Sequence, residues 1–240
     1  EAASKGTYPH YMLKEIHEQP GLIRNLIQYY LKGEGKQHLL AAAAIKPTRV
    51  HIAACGTASY AGQVIKEFIE RVNNITAVNE LASEFRYRGP ILNKGEIGLF
   101  ISQSGETADT LAAQELCVEK GLKTMAIVNV EGSTLFRNCD VNMLIKAGVE
   151  IGVASTKAFT QQALTGRLMA AALAGDLASV ESTGELTRRL SLLAERIDEL
   201  LSRSDEIKAI AEKVQDMDGF FFTGRGRYFP IALEGALKLK

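Results

Sequence analysis

Five short apolar runs, each followed by a turn and a longer amphipathic stretch, constrain the fold of this chain more than any other feature of its sequence. The runs lie at residues 50–54, 75–78, 97–101, 124–128 and 141–145. Most are nearly continuous apolar segments, which is typical of parallel strands buried on both faces. The helical patterns between them lie at residues 58–72, 81–87, 107–120 and 133–138. This alternation predicts an α/β fold with three αβα layers, built on a five-stranded parallel sheet of flavodoxin-like order.

Helical periodicity flanks the predicted sheet on both sides. The lead-in is helical, and Pro20 is expected to begin a second helical segment within it. After the sheet, helical patterns run over residues 155–175 and then through two more helices, the last over residues 205–214. These trailing helices are predicted to connect the sheet to whatever follows it.

The last part of the chain repeats an earlier pattern. Residues 219–223 predict a new strand, which is followed by a Gly turn and by a helix that begins at Ile231. The same order occurs at residues 50–62, so an internal duplicate is predicted to begin here. The predicted organisation is a helical lead-in over residues 1–45, a first domain over 46–178, connecting helices over 179–217 and the start of a second unit over 218–240.

Composition and charge exclude several classes of function. The 28 Lys and Arg residues balance 28 Asp and Glu residues, so the chain has no basic field for nucleic acid or an anionic membrane. No apolar run approaches the length of about 18 residues that a membrane helix needs. Its three isolated cysteines fit a reducing, cytoplasmic location, and neither they nor the four histidines have metal-ligand spacing. No metal and no cofactor are expected.

The strongest candidate site is the turn from Ser102 to Thr107, which follows the third predicted strand directly. It contains three hydroxyls, the amide of Gln103 and a glycine, and it leads into a helix. Hydroxyls and backbone N–H groups gathered at a helix N-terminus form an anion site without any Lys or Arg. Helix capping and a common Ser-Gly turn would explain either feature alone, but their density at the end of a buried strand predicts a phosphate site.

Two other segments are expected at the same edge of the sheet. Residues 55–59 follow the first strand and carry Thr57 and Ser59. Residues 150–157 follow the fifth strand and present Gly152 and Ser155 at a predicted helix start. In a doubly wound sheet, ligands bind at the carboxyl ends of the strands near the point where strand order reverses. The second segment is therefore placed to meet the sugar end of a ligand whose phosphate lies on the turn.

Several strings in the chain match one known family. They are CGTASYAG, ASEFRYR, SQSGETADT, IKAGVEIGVASTKAFTQQ and GRGRYFPIALEGALKLK. On these strings the chain resembles the isomerase region of the glutamine:fructose-6-phosphate aminotransferase family, which is built from two sugar-phosphate-binding (SIS) domains. The match extends from the YPHYMLKEIHEQP lead-in onward. The resemblance implies an SIS-type fold, no cofactor, and an enzyme that makes glucosamine 6-phosphate from fructose 6-phosphate and glutamine-derived ammonia.

The resemblance also assigns roles to residues. The phosphate is expected on Ser102, Gln103, Ser104 and Thr107. The sugar is expected near Thr57, Val153, Ser155 and Lys238, which matches a lysine of the sugar site. This chain has Ala58 where the family often has Ser, and Ser59, the next residue, is included among the predicted substrate-binding residues.

No catalytic residue is expected within the chain itself. The resemblance places the proton-transferring glutamate immediately after Lys240, and it places the ring-opening histidine and the glutaminase cysteine elsewhere in the protein. The expected partners are therefore a glutaminase domain and a second SIS domain of the same chain, together with a second copy in a homodimer. The 240-residue chain is expected to bind sugar phosphate with little or no turnover.

Two other functions are compatible with the same turn. A non-catalytic SIS module that senses sugar phosphates would share the phosphate site, although it would not be expected to share the VASTKAFTQQ and ALEGALKLK strings. A nucleotide site is disfavoured because the sequence has neither a P-loop nor a Gly-rich dinucleotide fingerprint.

Overall fold

The fold is an α/β sandwich around one parallel sheet, seen in a computed structural model that describes residues 4–177 and 180–240. Its strands are β1 (Arg49–Ala54), β2 (Thr76–Leu81), β3 (Ile97–Ser102), β4 (Lys123–Val128) and β5 (Val141–Leu144). All neighbouring strands pair in parallel, in the order β2-β1-β3-β4-β5. This is the flavodoxin-like order, with its reversal between β1 and β3. The predicted fold class is confirmed.

Helices of the described chain pack on both faces of this sheet, except for the last two, which contribute no residue to either hydrophobic core. The helices are α1 (Tyr11–Lys32), α2 (Lys36–Ala44), α3 (Gly56–Asn73), α4 (Ala82–Tyr87), α5 (Ala108–Glu119), α6 (Thr134–Asn138), α7 (Lys157–Ala174), α8 (Val180–Leu201), α9 (Ser204–Val214) and α10 (Phe229–Leu239). In the described parts of the chain, no helix is both long enough and apolar enough to cross a membrane.

Successive strand residues alternate between two hydrophobic cores, as the period of a strand requires. In β3, Leu99 and Ile101 belong to the larger core, which contains buried residues of α1, α3, α7 and α8. Phe100 points to the other face and packs in the smaller core, to which α4, α5 and α6 contribute. Both faces of the strand are therefore buried, which explains why its sequence is a continuous apolar run.

The lead-in differs from the prediction at Pro20, which lies inside α1 rather than at the start of a second segment. A proline lacks the N–H that would pair with the carbonyl four residues earlier, here that of Ile16. The side-chain amide of Gln19 donates to this carbonyl at 3.1 Å and replaces the missing donor. The helix therefore continues through a proline that is itself buried.

The strand predicted at residues 219–223 is wrong for this chain, since these residues have no regular secondary structure. A strand requires a neighbour for its backbone groups, and the five described strands pair only among themselves. The helix predicted from Ile231 does form, and it begins two residues earlier at Phe229. The predicted domain boundary between residues 178 and 179 lies outside the described residues.

A buried hydrogen bond between two side chains fixes the loop before β3 at the end of the sheet opposite to its carboxyl edge. His51 Nε2 of β1 lies 2.8 Å from Glu96 Oε2, and both side chains are buried. Burial raises the pKa of Glu96, but hydrogen bonds from Asn93 and His51 outweigh this effect and lower the pKa to about 2. The carboxylate therefore stays charged and ties the loop to the first strand.

Candidate functional site

A cavity of about 330 Å³ opens at the carboxyl ends of β1 and β3, where the strand order reverses. Ligands of doubly wound sheets bind at this position. The cavity is lined by Cys55, Thr57, Ala58, Ile101, Ser102, Gln103, Ser104, Thr107, Glu150, Gly152, Val153, Ser155 and Gln162. Three segments of the chain therefore meet around it: the end of β1, the turn after β3 and the segment before α7.

The turn after β3 is organised by its own hydroxyls. Ser102 is buried, and its Oγ accepts a hydrogen bond from the Gly105 N–H at 3.0 Å and lies 2.9 Å from Thr107 Oγ1. Ser104 is exposed, and its Oγ accepts from the Glu106 N–H at 3.2 Å. The turn leads directly into α5, whose first N–H groups have no intrahelical partners. The N-terminus of α5 thus presents a positive dipole end and hydroxyls to the cavity.

Gly105 gives the turn its shape. Its φ of +70° lies in the left-handed region, and a Cβ placed there would lie 2.1 Å from Ser133 Oγ. The turn is also held from the side of α6, because the Leu135 N–H donates to the Gly105 carbonyl at 3.0 Å. The Thr134 N–H donates to the Glu106 carboxylate at 2.8 Å, and this hydrogen bond lowers the pKa of Glu106. The phosphate-site candidate is therefore a rigid, supported loop.

Two carboxylates shape the segment before α7. The Glu150 carboxylate accepts from Ser155 Oγ at 2.8 Å and from the N–H groups of Thr156 and Ala158 at 2.9 and 3.2 Å, so it caps α7. Glu15 reaches in from α1, and its Oε1 accepts from the N–H groups of Ile151 and Gly152 at 2.6 and 3.1 Å. The lead-in helix thus fixes one wall of the cavity.

A third group of side chains joins α10 to the start of α3. Lys238 Nζ donates to Thr57 Oγ1 at 3.0 Å and lies 3.0 Å from Glu234 Oε1. Thr57 Oγ1 in turn donates to Glu234 Oε1 at 3.3 Å. Lys238 is therefore one hydrogen bond away from a residue that lines the cavity.

Comparison with known proteins agrees with this geometry. The model of the SIS domain family matches residues 45–172, which is more than half of the chain. The chain belongs to the SIS domain family. The matched range contains the whole sheet and every residue that lines the cavity.

Two curated relatives of this SIS chain are both named glutamine-fructose-6-phosphate aminotransferase (isomerizing). The one from Pectobacterium atrosepticum is 46% identical over 248 residues, which cover 100% of this chain and 40% of the relative. The one from Brucella abortus is 42% identical over 242 residues, which cover 99% of this chain and 40% of the relative. The chain thus spans about 40% of the length of these relatives.

A solved structure supports the same relationship over the whole SIS chain. It is titled the C-terminal domain of glucosamine-fructose-6-phosphate aminotransferase from Francisella tularensis and is 39% identical, with a TM-score of 0.90. The match covers 99% of this chain and 68% of that structure. The resemblance of this SIS chain to the isomerase region of the aminotransferases is confirmed.

The SIS cavity brings together most of the residues that the sequence singled out. Seven of the nine line it, namely Thr57, Ser102, Gln103, Ser104, Thr107, Val153 and Ser155. Lys238 is held against Thr57 from outside the lining. Ser59 is not brought to the cavity, because it is buried on the side of α3 that faces β2. There its Oγ and backbone carbonyl accept from Asn79 Nδ2 at 3.4 and 3.2 Å.

Three further residues of the SIS site had no role assigned from the sequence. Glu15 and Glu150 hold backbone N–H groups of the 150–158 segment, and the contact of Glu15 depends on tertiary structure. Gln162 lines the cavity from α7. Glu150 lies six residues before the N-cap of α7, too far for an acidic capping signal in the sequence, and nothing in the local sequence marks the other two residues.

The SIS cavity contains little charge. No lysine or arginine lines it among the described residues, and Glu150 is its only carboxylate there.

Cys117 and Cys139 lie in the smaller core, where burial raises the pKa of each thiol to about 12, so neither is a nucleophile. Over the ranges that the structure describes, no group of three or more His, Cys, Asp or Glu side chains is arranged to hold a metal ion.

Proposed function

We propose that this chain is the first sugar-phosphate-binding unit of the isomerase region of a glutamine:fructose-6-phosphate aminotransferase, or glucosamine-6-phosphate synthase. The cavity binds fructose 6-phosphate and glucosamine 6-phosphate. The whole enzyme makes glucosamine 6-phosphate with ammonia that its glutaminase domain releases from glutamine. In this proposal the protein is cytoplasmic and homodimeric, and its second SIS domain follows this one in the same chain.

The turn from Ser102 to Thr107 carries the proposal. It places hydroxyls, a glutamine side chain and the N-terminus of α5 on one side of a cavity at the topological switch point. A phosphate monoester is a strong hydrogen-bond acceptor with negative charge, and helix N-termini and clustered N–H donors stabilise such groups without a cation. Hydroxyls that can rotate supply further donors, since Ser104 is exposed and Thr107 is half-buried.

The other walls of the cavity are suited to the sugar. Val153 is fully exposed at the rim, and Ser155 lies beside it on the segment that Glu15 and Glu150 position. On the opposite wall, Thr57 presents its hydroxyl with Lys238 behind it. A hexose anchored by its phosphate on the turn would therefore meet polar groups from both sides.

Turnover by the 240-residue chain itself is not expected. Enediol chemistry needs a free base at the C1–C2 bond. Glu150, the carboxylate that lines the described cavity, already accepts hydrogen bonds from three donors, which hold it at the start of α7. We expect no glucosamine 6-phosphate above background when the chain is assayed with fructose 6-phosphate and ammonia. Product formation at a rate typical of an enzyme would contradict these roles.

The phosphate assignment predicts that Ser104→Ala weakens fructose 6-phosphate binding about tenfold, which corresponds to about 1.4 kcal/mol. The variant removes one donor that faces the cavity from an exposed position, so the free energy of unfolding should change little. Isothermal titration calorimetry measures the affinity, and urea unfolding measures stability.

Ser202→Ala is the matched control for this experiment. Ser202 is also exposed, and its Oγ donates to the Glu199 carbonyl at 2.7 Å, outside the cavity. Its affinity for fructose 6-phosphate should equal that of the wild type. Equal affinities in the wild type and both variants would remove the phosphate assignment. A separate assay of the full-length protein tests the enzyme itself. Binding of fructose 6-phosphate without turnover there would favour the sugar-phosphate sensor.

A further inference from the structure

Gln162 is a buried polar residue that lines the cavity and has no role in the phosphate and sugar contacts proposed above. It lies in α7, is 1% exposed and lines the cavity. Among the described residues, its Oε1 is buried without a hydrogen-bond partner. A buried acceptor without a partner is unfavourable, so such a group in a cavity wall points to a donor that arrives with a ligand.

The neighbouring residue shows what a structural glutamine looks like in this helix. Gln161 is also 1% exposed, and its Oε1 likewise has no partner among the described residues, but its Nε2 donates to the carbonyls of Leu22 and Ile145 at 3.2 and 3.0 Å. These bonds tie α7 to α1 and to the end of β5, and Gln161 does not line the cavity. The two adjacent glutamines thus face different surroundings, and only the side chain of Gln162 adjoins space that a ligand can occupy.

The chemistry of the unpartnered atom selects the part of the ligand that it can bind. A carbonyl oxygen accepts hydrogen bonds, whereas a phosphate dianion carries no proton to donate. Among the groups of a hexose phosphate or hexosamine phosphate, those that can donate to Gln162 Oε1 are therefore the hydroxyls and the amino group. Since the terminal torsion of a glutamine is soft, a modest rotation turns this oxygen toward such a donor.

We infer that Gln162 binds a hydroxyl of the sugar part of the hexose phosphate and distinguishes a sugar phosphate from phosphate alone, an inference that rests on the proposed function. The phosphate lies on the turn after β3, which is a different wall of the same cavity. The two walls therefore recognise the two halves of the ligand separately.

The test replaces Gln162 with methionine, which has a similar length and no carbonyl oxygen. Binding of fructose 6-phosphate is measured by isothermal titration calorimetry and binding of inorganic phosphate by phosphorus NMR titration. We expect Gln162→Met to weaken fructose 6-phosphate about tenfold, or about 1.4 kcal/mol, and to leave inorganic phosphate unchanged. Ser104→Ala is expected to weaken both ligands.

Thermal unfolding of the ligand-free protein separates this role from a structural one. Gln162→Met removes a buried acceptor without a partner, so its melting temperature should equal or exceed that of the wild type. The matched control, Gln161→Met, removes two structural hydrogen bonds and should lower the melting temperature while leaving the ratio of the two affinities unchanged. If methionine does not fit, Gln162→Leu gives the same comparison.

Each other outcome overturns the inference. Equal weakening of both ligands would make Gln162 part of the phosphate site or of the general structure. Unchanged affinity for fructose 6-phosphate would show that the sugar does not reach it. A wild-type chain that binds neither ligand would overturn the proposed function as well, whereas a wild type that binds both leaves the proposed function standing whatever the variant does.

Discussion

Replacing Gly105 with alanine is expected to abolish hexose-phosphate binding, with an affinity loss of at least about hundredfold, or about 2.8 kcal/mol. Two effects combine at this position. An alanine at φ +70° is strained by about 1–2 kcal/mol, and its Cβ would lie 2.1 Å from Ser133 Oγ. Either the turn or Ser133 must move, and the turn carries the hydroxyls of Ser102 and Ser104. Calorimetric titration with fructose 6-phosphate measures the loss.

Two further variants separate strain from collision. Gly121 has a φ of +74° with nothing within 4 Å of the position of a Cβ, so Gly121→Ala carries the strain alone. It should reduce stability in urea and leave the affinity unchanged. Adding Ser133→Gly to Gly105→Ala removes the colliding atoms and should restore part of the binding. A Gly105→Ala chain with wild-type affinity would show that the turn does not hold the ligand.

The fold was predictable to the extent that its signals are local. Buried parallel strands need continuous apolar runs, so the strand at residues 97–101 was placed within one residue of β3. The helix boundary predicted at Pro20 was wrong because the side chain of Gln19 replaces the missing N–H donor, and the sequence does not reveal this hydrogen bond. The strand at residues 219–223 was predicted from its composition, but strand formation depends on a neighbour that composition does not supply.

The site was predictable where chemistry and strand ends coincide. The turn after β3 places its hydroxyls together within six residues, and the structure brings it to the cavity with residues 55–58 and 150–155. Ser59 was predicted as a donor because it belongs to the segment after the first strand, but helical geometry turns successive side chains by about 100°, which directs it toward Asn79. Glu15 lies 136 residues from its partner Ile151, so only the tertiary structure could reveal it.

The lead-in helix α1 supports one wall of the cavity. Three side chains of α1 reach the region around the start of α7. Glu15 holds the N–H groups of residues 151 and 152, Glu18 lies 2.7 Å from Lys157 Nζ, and Gln19 accepts from Thr160 Oγ1 at 2.6 Å. The wall of the cavity that carries Val153 and Ser155 therefore depends on a helix outside the sheet.

The second large effect is expected at Glu15, where leucine should destabilise the chain by about 3 kcal/mol and weaken fructose 6-phosphate binding at least tenfold. Glu15 is buried, and its loss leaves the N–H groups of Ile151 and Gly152 without an acceptor. The segment that carries Val153 and Ser155 would then lose its anchor. Urea unfolding measures the change in stability, and calorimetric titration measures the change in affinity.

Glu15→Gln is the matched control, because a glutamine keeps an oxygen for both N–H groups. The other carboxylate oxygen, Oε2, is buried without a partner among the described residues, so an amide nitrogen replaces it with no hydrogen bond lost. Glutamine should therefore cost about 1 kcal/mol, since neutral hydrogen bonds are weaker than charge-assisted ones, and should keep most of the affinity. If leucine and glutamine destabilise the chain equally, the negative charge rather than the two hydrogen bonds holds this wall. If leucine leaves the affinity unchanged, the 150–155 segment does not contact the sugar.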